Sequence, residues 1–308
     1  MKKILKLSLA LAAGPLFADL AYVPNEQGGT VSIMDTDTMT VVGELAPGGK
    51  PRGLALARGM LYVSEQGKGI LHVIDTKTRK EVTTVELGES PEAIYASPDG
   101  KWLAAAVELT NSVVFVNTES NKVEFKIKVK GDNPEHAVFR PDGKVVYASA
   151  EEDDKLEVID VEGRKYLTQV KVGTRPRGIA FTPDGKKAYV ACERADTVYV
   201  LDAQAHKVVK QIKVGLRSNG LTMHPDGKRL YVSNGGDANV MLIDVASDTV
   251  KDKVAVGQRP WNMSLTKDGK KLLVANGRSD SVSVIDTESF KKLADVKVGR
   301  APWGVVVQ

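Results

Sequence analysis

One short signature recurs seven times along this chain: an alternating apolar run closed by an apolar residue and then Asp or Asn. It stands at Met34-Asp35, Ile74-Asp75, Val116-Asn117, Ile159-Asp160, Leu201-Asp202, Ile243-Asp244 and Ile285-Asp286, with successive spacings of 40, 42, 43, 42, 42 and 42 residues. A fixed period of about 40 to 45 residues marks a repeat array, which constrains the fold more than any other property of the chain. Two further landmarks keep phase with it. Gly-x-x-Pro occurs at Gly48–Pro51, Gly88–Pro91, Gly131–Pro134, Gly173–Pro176, Gly257–Pro260 and Gly299–Pro302, and Ser218 takes the place of the proline in the fifth full repeat. An Asp-Gly turn follows in five of the units, beginning at Ser97, Arg140, Thr182, His224 and Thr266, between two strand-like runs, where it favours a tight hairpin.

Each unit reads as four short strands rich in Val, Ile, Tyr and Ala. In the fourth unit they are Arg177 to Thr182, Ala188 to Cys192, Thr197 to Asp202 and Val208 to Val214. Four strands per repeat of this length predict an all-β seven-bladed propeller of antiparallel blades. The Gly-x-x-Pro-type openings number seven but the completed units only six. The tail opens a unit with a predicted innermost strand, Trp303 to Val307, and then ends. The amino end supplies Leu20 to Pro24, Thr30 to Asp35 and Thr40 to Leu45, matching strands two to four with nothing before them. Residues 19–47 and 299–308 are therefore expected to build one composite blade that closes a single domain spanning 19–308. The outermost strands carry lysines (Lys126, Lys128, Lys171, Lys207, Lys210, Lys213, Lys251, Lys253, Lys291, Lys292, Lys297), the usual protection of a bare strand edge.

Residues 1–18 have the layout of a cleaved secretory signal. Lys2, Lys3 and Lys6 precede an apolar stretch, Leu7 to Ala13, that is too short to span a bilayer. The expected location is periplasmic or secreted. Those lysines carry three of the four net positive charges of the whole chain, so net charge gives no argument for nucleic-acid binding. The single cysteine, Cys192, lies in a strand-like run and reads as a buried free thiol. A closed ring with protected edges needs no partner for strand pairing, and a monomer is expected.

In a propeller the innermost strands line an axial channel, and the loops entering them share one face. Here those loops are the Gly-x-x-Pro segments. The residue after the proline reads Arg52, Glu92, Glu135, Arg177, Asn219, Trp261 and Trp303 around the ring; the next reads Gly53, Ala93, His136, Gly178, Gly220, Asn262 and Gly304. Lys50, Arg175, Arg217 and Arg259 precede the proline position, and Arg300 lies one residue earlier still. A ligand site is expected at Arg52, Arg175, Arg177, Arg217, Asn219, Arg259, Trp261, Asn262, Arg300 and Trp303. Guanidinium forks with two indoles suit an anionic, planar small molecule. Against this stands neutralisation. The loops after the second strands carry Glu26, Glu108, Glu151 and Glu193, with Gln66, Gly235 and Gly277 at the matching positions. Arginines can pair with those glutamates while the tryptophans wedge between blades, which leaves Arg217 and Arg259 uncompensated.

Enzyme signatures are sparse. There is no nucleophile elbow, zincin motif, phosphate loop or metal-ligand spacing of Cys and His. Only His136, with the adjacent Glu135, is expected to reach the funnel among the four histidines. The reading leans away from an enzyme, with a lyase or hydrolase built on that pair as the alternative, and nothing in the sequence requires a metal or cofactor.

The strings YVSN (Tyr231–Asn234), LVAN (Leu273–Asn276) and YVPN (Tyr22–Asn25), with the three landmarks, resemble the YVTN family of bacterial seven-bladed propellers over essentially the whole mature chain. More narrowly, the start AYVPNE and the ending GRAPWGV resemble periplasmic propellers associated with pyrroloquinoline-quinone (PQQ)-dependent alcohol catabolism. That resemblance implies an accessory protein or scaffold for a quinoprotein dehydrogenase or its cytochrome, with PQQ as a conceivable ligand. Relatives of the same repeat style bind single-stranded DNA or, with an axial histidine for which only His136 is available, haem. A non-enzymatic ligand-binding or protein-interaction propeller is the leading expectation.

Overall fold

The computed structural model describes residues 19–308; the proposed leader, residues 1–18, lies outside them. Seven four-stranded antiparallel sheets stand around one axis. In the fourth unit the strands are Pro176–Phe181, Lys187–Cys192, Thr197–Asp202 and Lys207–Lys213, each within a residue of its expected limits. The repeating landmarks have local causes. Each Asp or Asn that closes a third strand accepts from backbone N–H groups two or three residues on. Asp35 Oδ1 takes Asp37 N at 2.9 Å and Thr38 N at 2.8 Å, and Asn117 Oδ1 takes Glu119 N at 2.9 Å. These Asx turns fix the bend into the outermost strand. The Asp-Gly turns place Gly100, Gly143, Gly185, Gly227 and Gly269 at φ between 66° and 73°, where a side chain would be strained.

Among the described residues there is no common hydrophobic centre. Seven separate clusters lie between adjacent blades, such as Tyr62, Leu71, Ile94, Leu103 and Val114 between the first two and Tyr147, Leu156, Ile179 and Val190 between the third and fourth. Buried tyrosine hydroxyls add bonds across these seams, Tyr62 to Asn121 at 2.9 Å and Tyr189 to Asp248 at 2.6 Å. Each blade thus packs on two neighbours, and closing the ring completes the last of these interfaces. Cys192 is buried as expected, and burial pushes its thiol up to about 12.

Closure follows the expected composite blade, with one correction. The amino-terminal strands are Leu20–Asn25, Thr30–Asp35 and Thr40–Leu45, but the tail contributes only Val306–Val307 as strand, not Trp303 to Val307. The Gly-rich stretch before it is held by single bonds instead. Trp303 N donates to Pro24 O at 3.0 Å, Asn262 N reaches Trp303 O at 3.4 Å, and Gln308 N donates to Leu20 O at 2.8 Å. This break lets the Trp303 ring turn inward across the axis.

Candidate functional site

A β-bulge at the head of every complete inner strand sets the site. Pairing with the second strand is lost between Pro51 and Leu54, Pro91 and Ile94, Pro134 and Ala137, Pro176 and Ile179, Ser218 and Leu221, and Pro260 and Met263. The two residues after each proline position fall in that bulge, and bulges re-aim side chains. A second-strand serine secures several of them, as where Gly53 N and Gly220 N donate to Ser64 and Ser233 Oγ at 2.8 Å. The second bulge position is small for a steric reason. A Cβ at Gly53 would lie 2.4 Å from Glu92 O, and one at Gly220 would lie 2.4 Å from Trp261 O.

The bulges deliver a ring of ion pairs around a funnel of about 190 Å³, lined by Arg52, Arg175, Arg177, Arg259, Glu108, Glu135, Glu151, Asn219, Trp261 and Trp303. Arg52 pairs with Glu92 and, at 3.1 Å, with Glu26. Arg177 is the hub of the opposite wall, held by Glu135, by Glu151 at 2.8 Å and by Glu193 at 2.9 Å. Arg175 joins Glu151, and Arg259 Nη2 reaches Glu193 at 2.8 Å. Neutralisation therefore accounts for every arginine in the funnel. Arg259 was expected to lack a counter-charge; it crosses to Glu193 because Gly235 leaves room for its guanidinium, 3.1 Å from where a Cβ would sit. Gly277 likewise makes room for the Trp261 indole. Arg217 is exposed and absent from the funnel lining. Arg300 is also exposed and bonds Gln27 at 3.2 Å. Asn262 lines the axial cavity below rather than the funnel.

His136 does not reach the funnel. It is fully buried, with its ring stacked on Trp303 (centroids 5.9 Å apart, planes at 19°) and its Nδ1 2.7 Å from the Tyr95 hydroxyl. Its Nε2 has no partner among the described residues, and burial drives its pKa down to about 3. Tyr95, His136 and Trp303, from three blades, thus pile across the axis. They separate the funnel from an axial cavity of about 340 Å³ lined by Leu54, Leu56, Ile94, Met263 and Val305, with Trp303 and Arg52 on both sides of the boundary. Sequence reasoning missed this pile, because Tyr95 sits below the bulge and carries no repeat-breaking signal of its own.

Among the three carboxylates that line the funnel, Glu108 alone is in no ion pair among the described residues; it accepts only from Ser90 Oγ, at 2.8 Å. Its charge is felt around the ring. Burial chiefly, with Glu108 adding to it, raises the pKa of Glu92 against the pull of Arg52. Burial raises Glu151 to about 7, opposed by Arg175 and assisted by Glu152, Glu108 and Glu193. No group of three or more His, Cys, Asp or Glu among the described residues could hold a metal ion.

A family model described as YNCE-like beta-propeller matches residues 6–308. The chain belongs to that family. No curated protein matches this YNCE-like propeller, but many solved structures share its fold. A chain of Kuenenia stuttgartiensis hydrazine synthase superposes with a TM-score of 0.79 at 23% identity, over 87% of this chain and 92% of that one. A functionally unknown protein from Desulfotomaculum acetoxidans gives 0.83 at 18%, over 94% and 99%. The dihydro-heme d1 dehydrogenase NirN, in complex with DHE, gives 0.72 at 15%, over 97% and 77%. At these identities the likeness is one of fold.

Proposed function

We propose that this YNCE-like propeller is a non-catalytic binding protein whose recognition site is the charged funnel floored by Trp303. We place its work outside the cytoplasm, to which the leader read in residues 1–18 would deliver it, in the service of a quinoprotein dehydrogenase or cytochrome. One observation carries the choice of binding over catalysis: Glu135 and His136, neighbours in sequence, serve different partners. Glu135 is bound to Arg177, whereas His136 has no exposed surface and faces Tyr95 and Trp303. A general base must come within hydrogen-bond reach of the proton it takes, and an enclosed imidazole with a depressed pKa does not. The ion-pair ring acts instead as a pre-organised rim around two indoles, which lowers the ordering cost of binding.

The paired state of the arginines argues against a polyanion such as PQQ, which would have to displace internal carboxylates. The reading is tested by thermal melting of the mature protein with PQQ, haem, a short single-stranded oligonucleotide and a library of small planar metabolites. A funnel ligand at a hundred times its Kd stabilises by about 2.7 kcal/mol, a rise of several degrees that Trp303→Ala should abolish. Stabilisation that survives both Trp303→Ala and Trp261→Ala would move the site elsewhere.

A further inference from the structure

We propose that the funnel is a receptor for a small organic cation, an ammonium or guanidinium joined to a flat apolar body, with its charge at Glu108 and its body against Trp303 and Trp261. The inference rests on the binding reading above and adds the chemical class of the ligand. It begins with what each lining group has left to offer. Arg52, Arg175, Arg177 and Arg259 are all engaged by carboxylates. Arg52 Nε, Arg175 Nε and Arg259 Nη1 remain buried without an acceptor among the described residues, but an anion placed against them would compete with Glu26, Glu92, Glu151 and Glu193, which already neutralise these guanidiniums, and stranding a buried charge is costly. Glu108 is different: it lines the cavity, is partly exposed, and has a hydroxyl but no cation beside it. It is the one lining charge whose partner must come from outside.

Three further observations agree with a cation. The cavity lining itself holds four guanidiniums and three carboxylates, but Glu26, Glu92 and Glu193 behind it bring the network to six carboxylates for four guanidiniums. This formal surplus is full only once Glu92 and Glu151 are ionised, and a low-dielectric cleft focuses such a field. Burial chiefly raises the pKa of Glu92 and of Glu151, and the neighbouring Glu108 adds to both. The walls opposite are two indoles, the strongest aromatic partners for a cation, and Trp261 already carries the Arg259 guanidinium 6.0 Å from its ring. The Trp303 ring has His136 stacked behind it, which fixes the plane offered to a ligand. A cavity of about 190 Å³ falls below the ~300 Å³ at which pockets for drug-sized ligands begin, so the ligand is small.

The test uses three probes of one skeleton, phenethylammonium, 2-phenylethanol and phenylacetate, titrated calorimetrically into the intact mature protein. Phenethylammonium should bind most tightly, with phenylacetate not detectably bound. Glu108→Gln should cost the amine tenfold or more in affinity while leaving the alcohol unchanged. Asn219→Asp, which adds a carboxylate to the funnel wall without removing a described bond, should tighten the amine. Binding of the amine should also strengthen as pH rises through about 7, because a bound cation favours the ionised form of Glu151. That carboxylate is faced by Arg175 and Arg177 and by Glu108, Glu152 and Glu193. An amine affinity unchanged in both variants overturns the proposal, as does tighter binding of phenylacetate; in the latter case the funnel remains a binding site and only its charge preference is wrong. Failure of all three probes to bind refutes the cation class, while a planar metabolite that still acts through Trp303 would leave the broader reading standing.

Discussion

His136 stands at a bulge position where most blades place Gly or Ala, and its imidazole is sealed between Tyr95 and Trp303. A histidine held at about 3 in the folded chain and near 6.5 in the unfolded one binds fewer protons when folded throughout that interval. Stability from this residue is therefore complete above pH 6.5 and is lost as pH falls toward 3. The loss amounts to about 5 kcal/mol over the interval, at about 1.36 kcal/mol per pKa unit. His136→Gln should unfold in urea with a visibly shallower dependence on pH between 6.5 and 3, whatever its stability at neutral pH; parallel losses in the two proteins would show that the imidazole is hydrated after all. The sequence marked His136 as exceptional but assigned it to the funnel, because its burial depends on Trp303, a residue from the far end of the chain. The same limit applies to Arg259. The space beside Gly235 that lets its guanidinium cross to Glu193 belongs to the packing of the ring, and the repeat pattern alone could not reveal it.

Among the elements, the tail has two roles that can be separated. Its two-residue strand, the Gln308 N bond to Leu20 and the Tyr22 hydroxyl bond to Gln308 at 2.8 Å tie the ring shut. Its irregular stretch carries Trp303 onto the axis. Deleting residues 299–308 strips the edge of Leu20–Asn25, removes Val305 and uncovers the cluster of Val23, Met34 and Val284 against which it packs, so the melting temperature should fall by 10 °C or more and the chain become sensitive to protease; an unchanged melt would contradict closure. Trp303→Leu keeps the backbone bonds and should cost much less stability. Strands, turns and ring closure were legible because their causes are local and repeated: Asx turns at the seven Asp or Asn positions and Asp-Gly hairpins in five blades. The bulges that aim the funnel residues were not read as such, although the Gly-x-x-Pro landmark coincides with them.

For the whole molecule, the seven inter-blade clusters make a rigid ring, and the departures from seven-fold likeness concentrate on its axis. Glu108 without a counter-charge, Gly235 and Gly277 in place of glutamates, and a tail strand cut short to admit an indole together turn a repetitive scaffold into one asymmetric receptor. The central claim, that this receptor takes its ligand on the Trp303 ring, is tested most directly by a chain in which Trp303 is the sole fluorophore of its kind. The protein has three tryptophans, so Trp102→Phe combined with Trp261→Phe, which keeps an aromatic ring on the Trp261 wall, leaves only this indole. Saturating phenethylammonium should shift or quench the Trp303 emission, and Glu108→Gln in the same background should demand at least tenfold more amine for the same change. Binding by calorimetry with the Trp303 emission unaltered would contradict the account.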